Sequence, residues 1–148
     1  MMRALLCLIP LLLLSACAGN APPPPEGFAV YEKSNGNESR AVTPEGVTWR
    51  VRTEDHKPQA DLSFWQAALR KRMSEAGYRV VDSLQFQSSG KPGFAWEFAA
   101  PQGPTDFSFL VGVVPDGSIL RIVEVAGPLV DFAKYRARVV AQLQKLVQ

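Results

Sequence analysis

Two stretches of the chain repeat apolar residues at the spacing of an α-helix. In residues 61–76 the apolar positions fall three or four residues apart, and the same spacing returns in residues 129–147. Each stretch therefore carries one apolar stripe, which predicts a helix that buries one side. Asp61 can cap the first helix and Gly77 can end it. The stripes consist of Leu62, Trp65, Leu69, Met73 and Ala76, and of Phe132, Tyr135, Val139, Leu143 and Leu146.

The rest of the body alternates apolar and polar residues, as β-strands with one buried face do. Asp116-Gly117 lies at the centre of a strong turn signal, so the strands on either side should pair antiparallel. The prediction is an α+β domain in which an antiparallel sheet of about six or seven strands packs against two amphipathic helices, including a C-terminal helix. We expect the aromatic face of the sheet to receive both helices. The predicted strands lie within residues 28–32, 42–52, 78–87 (with an interruption near Asp82), 94–99, 107–113 and 119–125.

The N-terminus has the pattern of an export signal. Arg3 precedes an apolar run, Ala4 to Leu14, that is too short for a transmembrane helix, which needs about 20 residues. The run ends at Leu14-Ser15-Ala16-Cys17, which resembles the lipobox of bacterial lipoproteins. An ordinary secretory signal with an accidental cysteine is the alternative.

The lipobox resemblance implies a lipid-anchored protein of the cell envelope. It implies that residues 1–16 are removed as a signal peptide and that Cys17 carries the lipid. In enterobacterial lipoproteins an Asp after the cysteine favours the inner membrane. Ala18 occupies that position here, which implies the outer membrane, on its periplasmic side. Residues 17–26 then form a proline-rich tether that could span roughly 28 Å, and residues 27–148 form a single domain.

Composition excludes several classes of partner and cofactor. Both cysteines, Cys7 and Cys17, lie in the export region, so the body is expected to form no internal disulfide. The chain has 16 Lys and Arg against 14 Asp and Glu, a balance that gives no strong attraction to nucleic acid. A single histidine and no metal-ligand or phosphate-loop motif lead us to expect no metal and no cofactor.

The order of elements resembles the PsbP-like fold. Its matching pieces are Pro44, Gly46 and Trp49, the hairpin from Phe107 to Val125 and the closing helix. The resemblance covers roughly residues 28–147. It implies a noncatalytic binding or assembly role, because that family supplies extrinsic helpers to larger complexes. No metal-associated residue of the family can be placed on this sequence.

Two acidic residues interrupt apolar strands and are candidates for a ligand or partner surface. Glu97 and Glu124 could share a face and line a polar pocket. They could instead mark the solvent side of the sheet, where Arg50, Arg52 and Arg121 would pair with them.

His56, next to Asp55, is a conceivable base with Ser63 as a nucleophile. No nucleophile-elbow motif supports that arrangement, and a loop histidine is the better interpretation.

The leading hypothesis is therefore a noncatalytic, lipid-anchored module that binds a periplasmic or outer-membrane protein partner. A binder of a small apolar ligand or lipid is the alternative, with Phe94, Trp96, Phe98, Phe107 and Phe109 lining its cavity if the helices leave one open. A third hypothesis is an envelope hydrolase that uses paired carboxylates.

Overall fold

The computed structural model describes residues 21–34, 38–102 and 105–147, so the signal segment and Cys17 lie outside the described residues. Within these ranges the chain forms seven strands and two helices. The strands are β1 (Ala29–Ser34), β2 (Glu38–Val42), β3 (Thr48–Asp55), β4 (Arg79–Ser88), β5 (Lys91–Gln102), β6 (Thr105–Asp116) and β7 (Ile119–Pro128), and the helices are α1 (Leu62–Glu75) and α2 (Leu129–Leu143).

The strands form one antiparallel sheet in the order β1-β2-β3-β7-β6-β5-β4. Strands that follow one another in the chain pair with each other, except β3 and β4. Instead, β3 pairs with β7 and so joins the two halves of the sheet. The predicted α+β architecture, with an antiparallel sheet and a C-terminal helix, is confirmed. None of the helices in the described ranges is long and apolar enough to cross a membrane.

The helix α1 covers the aromatic face of the sheet. Phe94 and Phe98 of β5 are fully buried there against Met73 of α1. Asp61 caps the helix by accepting a hydrogen bond from the backbone N–H of Phe64 at 2.9 Å. At the other end Gly77 adopts a φ of +84°, a left-handed conformation that ends helices at little cost for glycine.

The helix α2 packs on the opposite face, so the expectation that both helices share the aromatic face is wrong. Small residues of β5 and β6 make the room for it. A methyl group added at Gly112 would lie 2.8 Å from a valine side chain and 3.2 Å from Leu143 of α2. Trp49 and Leu143 are fully buried in the core on this side. The domain therefore has three layers, with a helix on each side of the sheet.

The described part of the proline-rich segment lies against the domain. Pro22 and Pro25 are buried, and the side-chain amide of Gln142 donates a hydrogen bond to the backbone oxygen of Pro23 at 2.7 Å. The backbone N–H of Phe28 donates to Pro25 at 3.3 Å. Proline can be buried this way because it has no backbone N–H that would lose a partner. We call residues 21–26 the proline segment.

Both edge strands of the sheet contain an irregularity. In β1 the register with β2 shifts between Val30 and Glu32, and in β4 the register with β5 shifts between Val80 and Asp82. Each shift leaves one extra residue in the edge strand, as a β-bulge does. The extra residues, Tyr31 and Val81, are 61% and 53% exposed. The interruption expected near Asp82 is thus a bulge.

Candidate functional site

A cleft of about 430 Å³ opens where the bulged start of β4 meets the first turn of α2. Its volume falls within the range of about 300 to 1,000 Å³ that is usual for ligand pockets. We call it the edge cleft. The strands β5 and β6 form its floor, and its lining includes Arg79, Val81, Glu97, Phe107, Ser108 and Leu129.

A buried carboxylate is fixed inside the edge cleft. Glu97 is 8% exposed, and the Nε of Arg136 donates a hydrogen bond to it at 2.8 Å. Arg136 also donates to Asp82, which the bulge in β4 places opposite Glu97. The hydrogen bond to Glu97 is the main cause that raises the pKa of Arg136 above its usual value. Because both carboxylates share one guanidinium, the Glu97 side chain is held in place.

The rim of the edge cleft exposes large aliphatic side chains. Val81 on β4 is 53% exposed, and Leu129 at the start of α2 is 48% exposed. The next residue of the helix, Val130, is 73% exposed. Exposed aliphatic side chains grouped around a concave surface are typical of interaction sites.

The two candidate carboxylates lie on opposite faces of the sheet. Glu97 pairs in register with Leu110, and Leu110 pairs with Val125. Since neighbouring residues of a strand point to opposite faces, Glu124 faces away from Glu97. The prediction that Glu97 and Glu124 line one polar pocket is therefore wrong.

Glu124 belongs to a row of ion pairs on the α1 side of the sheet. It lies 3.2 Å from Arg50 and 3.2 Å from Arg52. Arg50 also contacts Glu38 at 2.7 Å, and this hydrogen bond is the main cause that lowers the pKa of Glu38. Cross-strand pairs of this kind chiefly keep an uncovered sheet face soluble. The contact between Arg50 and Glu124 therefore agrees with the alternative that Glu124 marks the solvent side of the sheet.

Arg121 joins neither carboxylate. Its Nε lies 3.1 Å from Asp116, at the β6–β7 hairpin. Asp116 also accepts a hydrogen bond from Lys91, which is the first cause of a lowered pKa at Asp116, with Arg121 contributing. The expected pairing of Arg121 with Glu97 or Glu124 is wrong. Arg121 and Glu124 are three residues apart on β7 and therefore face opposite sides of the sheet, and Glu97 lies level with Val125, four residues from Arg121.

His56 is a structural residue in this geometry. It is 9% exposed, and its Nδ1 lies 2.9 Å from the backbone oxygen of Gly117. Its Nε2 lies 3.2 Å from the indole nitrogen of Trp65, which can only donate. Both ring nitrogens are therefore occupied by the protein. Within the described residues, no group of three or more His, Cys, Asp and Glu side chains is arranged to hold a metal ion.

Sequence reasoning identified Glu97 and missed the residues that make its surroundings. Arg136 lies beside the apolar stripe of the C-terminal helix, among several other basic residues that look equally solvated. Val81 is one apolar residue in an apolar strand, and only the bulge turns it outward. The one available signal was the expected interruption of the strand near Asp82.

The comparisons with known proteins concern the fold. No protein-family model matches the chain, and no curated protein matches its sequence. The solved structure of PA94, a protein of unknown function from Pseudomonas aeruginosa, aligns with a TM-score of 0.62 at 8% identity, covering 82% of this chain and 96% of that one.

Two further structures share the architecture. Cyanobacterial PsbP from Synechocystis sp. PCC 6803 aligns with a TM-score of 0.56 at 10% identity over 80% of this chain and 81% of that one. LpqN of Mycobacterium tuberculosis, described as involved in cell envelope biogenesis, aligns with a TM-score of 0.52 at 10% identity over 84% of this chain and 77% of that one. At such identities the likeness is one of fold alone, and at that level the predicted resemblance to the PsbP-like fold is confirmed.

Proposed function

We propose that this chain is a noncatalytic, lipid-anchored envelope protein that binds a protein partner through the edge cleft. The observation that carries the proposal is the pair of exposed aliphatic side chains, Val81 and Leu129, at a concave surface with a fixed carboxylate inside. The exposed Val130 follows Leu129 in the helix. Interfaces concentrate their binding energy in an apolar side chain that fills such a pocket, with polar groups around it.

The open rim favours a protein over a small molecule as the occupant. A small-molecule pocket buries most of its ligand's surface. Here Val81 and Leu129 stand on either side of the opening and would remain exposed to water around a small ligand. A protein surface covers them as it fills the cleft. Arg79 and Asp106, both exposed at the cleft, can then pair with polar groups of the partner.

On the aromatic face of the described domain, a cleft of about 490 Å³ lies beside Trp96, but it is open and lined mainly by polar side chains of α1. Such a lining does not suit a small apolar ligand. Phe94 and Phe98 are 1% and 0% exposed beneath α1, so they pack the core. The cleft that Phe94 borders has a volume of about 200 Å³, below the usual range for ligand pockets. The apolar groove between α1 and β7 has a volume of about 180 Å³, below the usual range for ligand pockets.

The positions of the candidate catalytic residues support a noncatalytic role. The two carboxylates that a hydrolase would need are on opposite faces of the sheet, and Glu97 is held by Arg136. Both nitrogens of His56 are engaged by the protein itself.

The anchor rests on the lipobox at Leu14 to Cys17. Two or three acyl chains hold a protein stably on a membrane, whereas one does so only marginally. We place the protein on the periplasmic side of the outer membrane, since Ala18 follows the cysteine. The fold likeness to LpqN is consistent with an envelope role. The intact mass of the purified protein tests the anchor: the mature chain must begin at Cys17 and carry added lipid mass, which Cys17→Ser must abolish.

Crosslinking in cells tests the partner. A photoreactive amino acid replaces Leu129 in one variant and Tyr31, on the opposite edge of the sheet, in a control variant. We expect one protein to crosslink from position 129 and not from position 31. Val81→Asp should weaken that complex about thirtyfold, since an interface anchor contributes about 2 kcal/mol.

The matched control is Tyr31→Asp, which places the same charge at the bulge of the other edge strand. It should leave both folding and the complex unchanged. The proposal is rejected if both positions capture the same proteins, or if Val81→Asp binds the partner as well as the unmodified chain does.

A further inference from the structure

The N-terminal side of the domain is fixed beside the C-terminal half of α2. Gln142, 8% exposed, holds the backbone oxygen of Pro23, and Pro22 and Pro25 are buried. The chain therefore leaves the domain at a defined place. If Cys17 carries the lipid, four residues separate it from Pro22, so the two Cα atoms lie at most about 18 Å apart whatever the conformation. The lipid would thus hold the Gln142 end of the domain close to the bilayer.

The exposed surface of α2 next to this exit carries only positive charge. From Phe132 to the end of the chain the sequence has four Lys and Arg and no Asp or Glu. Arg138 and Lys145 are exposed on this part of the chain, as is Ala141 between them. Neither cation forms an ion pair among the described residues, whereas Arg136 is engaged by Glu97 and Asp82. Anionic lipid headgroups attract cations placed this way.

We infer that the surface formed by α2 and the residues that follow it, which we call the basic face (Arg138, Ala141 and Lys145), rests on the anionic bilayer that carries the lipid anchor. The inference depends on the proposed lipidation of Cys17 and adds to it a defined orientation. Two features support the same side of the domain: the short connection from Cys17, and the absence of Asp and Glu from the sequence after Asp131. The exposed Glu26 of the proline segment is an acidic side chain near this exit. The helix rises about 1.5 Å per residue, so the edge cleft at Leu129 lies about 20 Å from Gln142. The partner site is thereby kept away from the anchored end.

Fluorescence quenching on vesicles tests the orientation. Cys7 is removed with the signal and the thiol of Cys17 is consumed by the lipid, so an introduced cysteine is the only free thiol of the mature protein. Ala141→Cys places a fluorescent label on the basic face. Ala67→Cys places it on an equally exposed alanine of α1, on the other side of the sheet. The lipidated full-length protein is reconstituted into phosphatidylglycerol-containing vesicles whose headgroups carry a nitroxide quencher.

We expect strong quenching at position 141 and none at position 67. A flexible Gly-Ser insertion after Gly19 lengthens the connection to the lipid. It should abolish the difference in quenching between positions 141 and 67 on phosphatidylcholine vesicles and preserve that difference on the anionic vesicles. Adding Arg138→Gln and Lys145→Gln to that longer chain should weaken the remaining contact about thirtyfold, because each cation near an anionic surface contributes about 1 kcal/mol.

The outcomes separate the two proposals. A purified protein without lipid mass rejects the anchor and this orientation with it. A lipidated protein that is quenched equally at positions 67 and 141, or more at position 67, rejects the orientation alone. Binding at the edge cleft is measured independently and is not affected by either result.

Discussion

His56 joins three separate parts of the domain, and we expect its replacement by Ala or by Asn to lower the free energy of unfolding by different amounts. It follows β3, its Nδ1 lies 2.9 Å from the oxygen of Gly117 in the β6–β7 turn, and its Nε2 lies 3.2 Å from the indole nitrogen of Trp65 in α1. The backbone N–H of Ala60 is a second donor to Nε2, at 3.4 Å. These partners assign the proton to Nδ1, because the opposite tautomer would satisfy only the Ala60 oxygen at 3.1 Å.

The cost of removing the ring follows from these contacts. His56→Ala deletes the two shorter, partly buried hydrogen bonds, to Gly117 and from Trp65, at about 1 kcal/mol each, together with the longer one from Ala60. It also removes the packing of the ring, 5.9 Å from the ring centre of Trp65, for about 1 kcal/mol more. We expect a loss of about 3 kcal/mol, which lowers Tm by about 10 °C for a domain of this size. His56→Asn can still donate to Gly117, so it should cost about 2 kcal/mol.

Urea unfolding of the single and double variants measures these costs. Trp65→Phe keeps an aromatic ring and removes only the indole donor, which should cost about 1 kcal/mol. Combined with His56→Ala in a double-mutant cycle, it should show a coupling of about 1 kcal/mol. The reasoning is refuted if His56→Ala changes the free energy of unfolding by less than about 0.5 kcal/mol, or if the two positions do not couple.

Three further predictions follow from contacts described above. Gly112→Ala places a methyl group 2.8 Å from a valine side chain beneath α2, so calorimetry should show a destabilisation of about 1–3 kcal/mol. Gln142→Ala should release the proline segment, seen as faster amide exchange and protease cleavage within residues 21–28, while the global free energy of unfolding falls by only about 1 kcal/mol. The lowered pKa of Asp116, caused first by Lys91, means that its ion pairs stabilise the fold above about pH 4 and that this contribution is lost as the pH falls through the folded-state pKa. Asp116→Asn should therefore flatten the acid side of the stability profile, and an unchanged profile would contradict the assignment.

The parts of the fold that follow from local pattern were predictable. The stripes of Leu62 to Met73 and Phe132 to Leu146 correctly predicted both helices, because helical periodicity is a property of neighbouring residues. The cap at Asp61 and the turn at Gly117 follow from local chemistry in the same way.

The relation between distant strands was not predictable from such patterns. Glu97 and Glu124 look equivalent in sequence, since each interrupts an apolar strand. The register of β5 with β6 and β7 decides that they face opposite sides, and a shift of one residue would reverse that result. The same limit hid the role of Gly112, whose missing side chain leaves room for Leu143 of α2. The contacts of the proline segment were not predictable either, because proline composition alone does not tell a free linker from one that is buried.

If the protein is lipid-anchored as proposed, the extra residues at Tyr31 and Val81 have a consequence for many copies held on one membrane. Molecules confined to a membrane meet one another far more often, and in fewer orientations, than molecules free in three dimensions. A straight, unpaired strand at either end of the sheet would then invite end-to-end joining into a continuous ribbon. Because the hydrogen-bonding row is interrupted at both ends, a dense population of these domains is expected to stay as separate monomers, each with its cleft open.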